Sequence, residues 1–388
     1  MIRSNGFSNK NRLDFRLIRE IDKGLLFSMI ALIIYGIINI YIVTKGGVFD
    51  TVGPFYFAKK QIISLGVALV LLFLFVSADY RALYRYAPII YWISVIMLIM
   101  VWIPGLGKTV NGARGWVDLG ITTFQPAEIA KFGIILMVAK LIEEMEGDIN
   151  TFKNLFKIAI YVLIPVFLIL IQKDMGMTMV CFFIVLGMLY IGGLDRRIIG
   201  GGFLILFVAI VVLWNSGLIL YHQKARIVAF MNPETDDSDQ GYQLNQSLIG
   251  IGAGGLSGVK TNFDPETSPG YAATHVPEIQ TDFIFAGLSE QWGLIGAMFL
   301  LLLYGILITK MVNIARNARD KFGSIMCVGI VSYFLFAITQ NIGMTIGLLP
   351  ITGITLPLIS YGGTSLVTTT ISVAAVLSVG MRKRKIHF

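Results

Sequence analysis

The sequence predicts an all-α polytopic membrane protein with ten transmembrane helices and a large extracytoplasmic loop between spans seven and eight. The chain has 388 residues, of which 56% are hydrophobic and 14% charged, against roughly 25% charged in ordinary soluble domains. Its mean hydropathy is +0.77, and single soluble cores stop growing near about 250–300 residues. A bilayer is therefore the solvent that this much apolar surface requires, which excludes a soluble protein of this length.

Ten apolar runs predict the spans. Seven of them are nearly free of charge and reach spanning length: Gly24–Val43, Gln61–Ser77, Tyr86–Ile103, Met175–Gly193, Ile198–Trp214, Trp292–Thr309 and Thr364–Gly380. Three more are shorter but extend through tolerable polar neighbours: Ile129–Ile142, Ile158–Ile171 and Ile325–Ile338. The last of these continues to Leu349, with Gln340 and Asn341 as a predicted interruption.

The basic residues predict the orientation of the chain. With ten spans both ends share one side, and 21 Lys and Arg fall on that side against nine on the other, with Lys131 inside a span. The positive-inside rule then predicts cytoplasmic termini, with residues 1–23 and 381–388 as cytoplasmic segments and residues 215–281 as an outer loop. The net charge of +8 is thus a topology signal, and we expect no nucleic-acid partner.

The first polar cluster lies around the outer entrance of span four. Arg114 and Trp116 precede the span, and Glu128 and Lys131 lie in its first turns, three residues apart on one helix face. Two interpretations remain open. The cluster is either a capped helix start with a local ion pair, or a wall that offers cations to an anionic group and an indole for stacking on a sugar.

Two further clusters follow, one after span five and one after span seven. Asp174 opens span six, where an N-cap role is the common explanation. Lys224 and Arg226 lie in the outer loop as ordinary solvated charges, unless a phosphate must be held there. The glycine run Gly250–Gly258 is either a small-residue turn or, less commonly, a backbone cradle for phosphate.

Two carboxylates lie where the outer loop returns to the membrane. Asp282 directly precedes an apolar run, so it is either an N-cap or a general base at the mouth of a low-dielectric bundle. Glu290 lies within the span and should face the bundle interior or water. The acidic run Thr235–Asp239 has a spacing that can bind a cation, but a solvated loop tip is the commoner explanation.

The last polar set contains two prolines and several glycines. It comprises Gln340–Gly343, Leu349–Gly353 and Leu356–Thr364. Such residues predict irregular backbone at membrane depth, which is tolerated only where it is buried in protein or lines a cavity. We therefore predict a cavity facing the outer loop.

These motifs, in this order, resemble the SEDS family of cell-shape, division and sporulation proteins, with the RodA branch closest. The matching segments are Asn111–Arg114 with Trp116, Phe124–Pro126 with Glu128 and Lys131, Gln172 with Asp174–Gly176, Gly241–Gln243, Val276–Glu278, Thr281–Ala286, Asn341–Gly343 and Ser360–Gly363. The resemblance covers about residues 15 to 382. The chain departs from the family pattern at Lys173, where proline is usual, and at Gly115, where a basic or polar residue is common.

The resemblance implies a peptidoglycan glycosyltransferase that polymerises lipid II into β-1,4-linked glycan strands on the outer face of the bacterial cytoplasmic membrane. It acts there in cell-wall elongation and shape control. Asp282 matches the essential aspartate of the family and is the expected base. The expected substrate-binding residues are Arg114, Trp116, Gln125, Glu128, Lys131, Asp174, Lys224, Arg226, Glu278 and Glu290. The expected partners are the nascent glycan strand, a class B penicillin-binding protein and other proteins of the elongation machinery.

Two other functions stay open at this point: a lipid II flippase, and an inactive scaffold for a penicillin-binding protein. The polar residues cluster at outer span ends rather than at mid-bilayer, which favours the enzyme over a transporter. Mg²⁺ or Mn²⁺ would suit a diphosphate as counter-ion, but the sequence holds no dedicated metal-ligand set.

Overall fold

The computed structural model describes residues 20–45, 53, 55–110, 112–118, 120, 123–204, 239–259 and 270–382. Most of these residues are helical, and eight of the helices are long and apolar enough to cross a membrane. The prediction of a polytopic, mostly helical membrane protein is therefore confirmed.

The long helices reproduce most of the predicted spans. They are α1 (Lys23–Thr44), α2 (Tyr56–Ser77), α3 (Tyr80–Met100), α4 (Pro126–Glu144), α5 (Phe152–Ile171), α6 (Met175–Gly192), α9 (Ile284–Arg316), α10 (Lys321–Thr345) and α11 (Gly363–Met381). Two shorter helices, α7 (Asp239–Gly254) and α8 (Tyr271–His275), lie within residues 215–281, the predicted outer loop. Aspartate N-caps accept backbone hydrogen bonds at the starts of four helices: α1, α3, α6 and α10.

Two of the ten predicted spans are not among those eight helices. Helix α4 has the predicted position and 19 residues, but it carries Glu128, Lys131 and Lys140 along its length. Of the predicted span Ile198–Trp214, helical residues extend to 204, and residues 205–214 lie outside the described ranges. The count of ten spans, and the placement of the loop after span seven, stay predictions.

The structure corrects the sequence prediction in two places. A small antiparallel sheet of β1 (Gly107–Val110), β2 (Ala113–Asp118) and β3 (Thr123–Phe124) joins α3 to α4, so the fold is not entirely α. Helix α10 runs without interruption through Gln340 and Asn341 to Thr345. The two amides do not break the helix, because each donates instead to irregular backbone that follows it.

The helices form layers around a buried centre. Helices α10 and α11 are mostly buried, whereas α2 and α5 keep most of their apolar side chains at the surface. Exposed apolar side chains on an outer helix fit contact with lipid. Helix α4 is also buried along most of its length. The centre of the bundle is thus α4, α10 and α11, and the irregular residues 346–362 join α10 to α11.

Helix α9 is broken near its start, and the glycine run fills the break. Gly293 has φ 63°, which interrupts the helix. The amides freed after the break donate to the turn that follows α7, from Leu294 to the Gly255 carbonyl at 2.9 Å and from Ile295 to the Leu256 carbonyl at 3.1 Å. A Cβ on Gly254 would lie 2.1 Å from the Ser289 carbonyl oxygen. The glycine run is therefore a tight packing surface for α9, as the small-residue interpretation predicts.

This close approach makes a stability prediction for two neighbouring glycines. Gly254→Ala should destabilise the protein by about 1–3 kcal/mol, because the methyl group would collide with the backbone of α9. Gly252 lies at an exposed position of the same helix, and a Cβ there meets nothing within 4 Å, so Gly252→Ala should stabilise by about 0.5–1 kcal/mol. Thermal unfolding of both variants in detergent measures the difference. Equal unfolding temperatures would contradict the packing of the turn into the break.

Candidate active site

Asp282 lies in a turn between α8 and α9, and three successive carbonyl groups hold this turn in place. The Gln280 carbonyl accepts from the Tyr361 amide at 2.8 Å, and the Thr281 carbonyl accepts from the Ser360 hydroxyl at 2.7 Å. The Asp282 carbonyl accepts from Asn341 Nδ2 at 2.8 Å. The backbone that carries the carboxylate is thereby fixed to α10 and to the irregular residues before α11.

The N-cap interpretation of Asp282 is wrong. Helix α9 starts at Ile284 with Phe283 in the N-cap position, and no side chain caps this start. The half-buried Asp282 carboxylate instead lies towards the irregular segment, where a Cβ on Gly353 would be 3.3 Å from its Oδ2 atom. Gly353 has φ 73°, so both its backbone and the carboxylate disfavour a side chain there.

Glu278 shapes the start of the same turn. Its φ of 56° is uncommon for a residue with a side chain. Its carbonyl accepts from the amides of Thr281 and Phe283, and its Oε2 atom accepts from the Thr281 hydroxyl at 3.0 Å. The strained turn is thus closed on itself immediately before Asp282.

A second group of predicted residues gathers where α4 and α6 begin. Asp174 caps α6 by accepting from the Met177 amide at 2.9 Å, which confirms its N-cap interpretation. Its other oxygen accepts from Gln125 Nε2 at 2.9 Å. The backbone amide of Gln125 donates to Thr364 Oγ1, at the start of α11, at 3.4 Å. Three helix starts therefore meet at one end of the bundle.

The sheet residues border this group. The Arg114 amide donates to the Gln172 carbonyl at 3.0 Å, and its guanidinium lies over the Trp102 ring at 5.3 Å from the ring centre. Trp116 is half-buried opposite Lys108 in the strand pair. The sheet thus brings a cation and an indole to the end of the bundle where Asp174 lies, although Arg114 already stacks on an aromatic ring.

The two groups touch through the irregular segment. A Cβ on Gly176 in the first turn of α6 would lie 2.7 Å from the Thr352 carbonyl oxygen, and the next residue is Gly353 beside Asp282. The Asp174 cap and the Asp282 turn therefore flank the same stretch of backbone. The structure brings together Asp282, Glu278, Asp174, Gln125 and Arg114 at this end.

Glu128 and Lys131 form a buried ion pair inside the bundle. Lys131 Nζ is 2.6 Å from Glu128 Oε2 and 3.6 Å from the centre of the Tyr333 ring. Glu128 Oε2 also accepts from the Thr368 hydroxyl at 2.9 Å. Lys131 is only 1% exposed, so the local ion pair of the sequence analysis is present and its cation faces the protein.

Glu290 is also buried, at 1% exposure. Its Oε1 atom accepts from the Tyr271 amide at 2.5 Å and its Oε2 atom from the Ala272 amide at 2.9 Å. The carboxylate therefore binds the start of α8. Lys224 and Arg226 lie outside the described residues, as do Asn111 and most of the acidic run Thr235–Asp239.

Three residues at the site were not predicted as site residues: Asn341, Ser360 and Gln61. Asn341 Nδ2 donates both to the Asp282 carbonyl and to the Ile354 carbonyl, at 2.7 Å. Gln61 donates to the Ser360 carbonyl at 3.2 Å and accepts from the Gly362 amide at 3.1 Å. For Gln61 and Asn341 the signal in the sequence is an uncharged polar side chain inside a predicted span, which is expensive to bury without a partner. Ser360 lies instead in the predicted irregular segment Leu356–Thr364.

The described residues contain no group of three or more His, Cys, Asp or Glu side chains that could hold a metal ion. Asp174 and Asp282 flank the same backbone but do not form a dedicated ligand set. The fit of a divalent cation to these residues is therefore poor.

Comparison with known proteins decides the family. A family model described as cell cycle protein, covering FtsW, RodA and SpoVE, matches residues 23–385 of the chain. The chain belongs to the FtsW/RodA/SpoVE family. The SEDS resemblance drawn from the motifs is thus confirmed, and the match spans nearly the whole described bundle.

Individual members of this family align over most of the chain. Stage V sporulation protein E of Bacillus subtilis is 34% identical over 334 residues, which are 85% of this chain and 88% of the relative. Peptidoglycan glycosyltransferase MrdB of Escherichia coli is 32% identical over 378 residues, 97% of this chain and 98% of the relative.

Solved structures of the FtsW/RodA/SpoVE fold agree with the helix arrangement. A chain from a peptidoglycan synthase complex, solved to show how polymerization and crosslinking are coordinated, aligns with a TM-score of 0.78 and 29% identity, over 93% of this chain and 97% of that one. Rod shape determining protein RodA of Thermus thermophilus aligns with a TM-score of 0.68 and 28% identity, over 94% and 98%.

A buried acceptor near Asp174 makes a prediction for Gly115. The Gln172 Oε1 atom is buried and has no hydrogen-bond partner within the part of the chain that the structure describes. A Cβ on Gly115 would lie 3.7 Å from this oxygen without a clash. Gly115→Ser should place a hydroxyl donor beside it and stabilise the protein by about 1–2 kcal/mol, part of it from reduced backbone freedom.

The control for this prediction is Gly115→Ala, which adds the same Cβ without a donor. We expect the unfolding temperature to rise in the order wild type, alanine, serine, measured with detergent-solubilised protein. A serine variant no more stable than the alanine variant would show that Gln172 Oε1 does not need a donor.

Proposed function

We propose that this chain is a peptidoglycan glycosyltransferase that polymerises lipid II into β-1,4-linked glycan strands on the outer face of the cytoplasmic membrane. The observation that carries the proposal is the carboxylate of Asp282 on a backbone turn that three carbonyl hydrogen bonds hold, at the end where three helix starts meet. Relatives named peptidoglycan glycosyltransferase cover nearly the same length of sequence and support the activity.

In the proposed reaction Asp282 is the general base. It takes the proton from the 4-hydroxyl of the acceptor GlcNAc while that oxygen attacks the anomeric carbon of the donor MurNAc. The bond from the anomeric carbon to the diphosphate oxygen breaks, and undecaprenyl diphosphate leaves with the electron pair. One displacement converts an α-linked diphosphate into a β-linked sugar, so no carboxylate nucleophile is required.

The other site residues have two kinds of proposed role. Arg114, with Lys224 and Arg226, stabilises the negative charge that develops on the leaving diphosphate. Trp116, Gln125, Asp174 and Glu278 bind the sugars and their substituents. These side chains, apart from the two in the outer loop, lie at or beside the end of the bundle that carries Asp282.

The buried charges act from within the protein. Lys131 and Glu128 neutralise each other between α4, α10 and α11. We propose that this pair fixes the position of α4 beneath the site and does not bind the diphosphate directly. The carboxylate oxygens of Glu290 both accept backbone amides, so its part in substrate binding is likewise indirect.

We further propose that the enzyme works in cell-wall elongation with a class B penicillin-binding protein, which crosslinks the strands. A structural relative from a peptidoglycan synthase complex supports an assembly of this kind. The likeness to a protein named rod shape determining protein RodA, over 94% of this chain, supports the elongation role. The excess of basic residues on one side of the membrane supports a cytoplasmic position for both termini.

The proposal predicts that Asp282→Asn abolishes polymerisation. With purified lipid II and a cognate penicillin-binding protein whose transpeptidase is blocked, we expect the glycan yield to fall by about 10²–10⁴-fold, because an amide cannot accept the proton. Gel separation of labelled strands measures the product. Asp148→Asn, an exposed change in the turn between α4 and α5, is the matched control and should retain wild-type activity.

The polymerisation assay, together with an assay of lipid II translocation, separates the competing functions. Equal polymer from wild type and a folded Asp282→Asn variant would remove Asp282 from the mechanism. No polymer from the wild type, together with lipid II translocation across vesicles, would establish a flippase. No activity in either assay would favour the scaffold.

A further inference from the structure

Glu290 contacts backbone on both sides of residues 260–269, which form a gap in the described part of the chain. Its two carboxylate oxygens accept from the amides of Tyr271 and Ala272 after the gap, and its own carbonyl accepts from the Val259 amide before the gap at 2.9 Å. One buried residue thus collects three hydrogen bonds from two separate segments. A carboxylate that accepts two backbone amides is strongly held, because these bonds are charge-assisted.

The neighbours of Glu290 leave little freedom at this point. Gly270 has φ 98°, and a Cβ there would lie 2.9 Å from Glu290 Oε2. Three residues after Glu290, the break at Gly293 is filled by the turn that ends in Val259. The start of α8 and the end of the α7 turn therefore both rest on the same short piece of α9.

The chain from Tyr271 to Asp282 is fixed at both ends. At the Asp282 end, the carbonyls of Gln280, Thr281 and Asp282 accept hydrogen bonds from outside the turn. At the Tyr271 end, the Glu290 carboxylate holds the backbone, and Gln246 Oε1 accepts from the Tyr271 hydroxyl. Loss of the two backbone bonds to Glu290 would loosen the start of α8 and, through the short connection Val276–Thr281, the backbone under Asp282.

We propose that Glu290 is a positioning residue, which sets the placement of Asp282 by holding the backbone of Tyr271 and Ala272, without touching the substrate. This inference rests on the proposed function and deepens it. Its chemistry needs two acceptor oxygens at the end of a Glu-length side chain. A glutamine keeps the length but replaces one acceptor with an N–H₂ group, which would face a backbone N–H.

The first test is hydrogen exchange, which needs no activity. In Glu290→Gln, peptides that cover residues 271–282 should exchange at least about tenfold faster than in wild type, because charge-assisted bonds to two amides are lost or weakened. Peptides from α10 should exchange at the wild-type rate. Unchanged exchange across residues 271–282 would overturn the proposal, whatever the polymerase assay shows.

The second test is the split between kcat and KM for lipid II. A positioning role predicts a kcat lower by about tenfold or more, with KM within about twofold of wild type, since the substrate contacts remain. Glu290→Asp keeps both oxygens on a shorter side chain and should recover part of kcat. A raised KM with wild-type kcat would show a substrate contact and overturn the proposal.

Glu146→Gln supplies the matched control for both tests, since it is the same change at an exposed residue after α4. It should exchange and polymerise like wild type. If wild-type protein makes no polymer, the proposed function fails, and the exchange experiment still decides whether Glu290 holds α8.

Discussion

The structure depends on the satisfaction of irregular backbone inside a membrane-crossing bundle. Residues 346–362 join α10 to α11 without regular structure, and an unpaired backbone group at that depth costs several kcal/mol. Side chains from the surrounding helices supply the missing partners. Gln340 donates to the Pro350 carbonyl, Asn341 to the Ile354 carbonyl, and Tyr304 to the Pro357 carbonyl.

The same complementation builds the candidate active site. The Ser360 hydroxyl accepts from the Leu356 amide and donates to the Thr281 carbonyl. The side-chain amide of Asn341 donates to the carbonyls of Ile354 and Asp282. Asn341 and Ser360 thus satisfy the irregular segment and fix the Asp282 turn at the same time. The break in α9 follows the same rule, with carbonyls of the α7 turn accepting from the freed amides. Rigidity at the site is a by-product of burying this backbone.

The sequence reveals the helices and the irregular segment because both have local signals. Long uncharged runs mark the helices, and Pro350, Gly353 and Pro357 mark the segment between α10 and α11. The sheet has no such signal, since its strands have four, six and two residues and only part of one is buried. The polar partners are equally hidden, because the residues that pair are far apart in the chain, as Gln61 and Ser360 are.

The identity of a charged residue in a span does not show which way it faces. Lys131 and Arg114 are equally plausible diphosphate ligands from the sequence, yet one is paired inside the bundle and the other lies at its end beside the sheet. Glu290 and Asp282 differ in the same way, one bound to backbone amides and the other half-exposed. Burial separates them, and burial follows from tertiary packing rather than from periodicity in a chain that is apolar throughout.

The buried Glu128–Lys131 pair is best understood as a constraint on geometry. Such pairs contribute little net stability, since the cost of desolvating two charges offsets their attraction. This one has contacts to Tyr333 on α10 and Thr368 on α11, so it is satisfied only when the three helices keep one relative placement. Helix α4 begins one residue after Gln125, which contacts the Asp174 cap. By holding α4 against α10 and α11, the charge pair therefore also fixes the start of α4 at the end of the bundle where Asp282 lies.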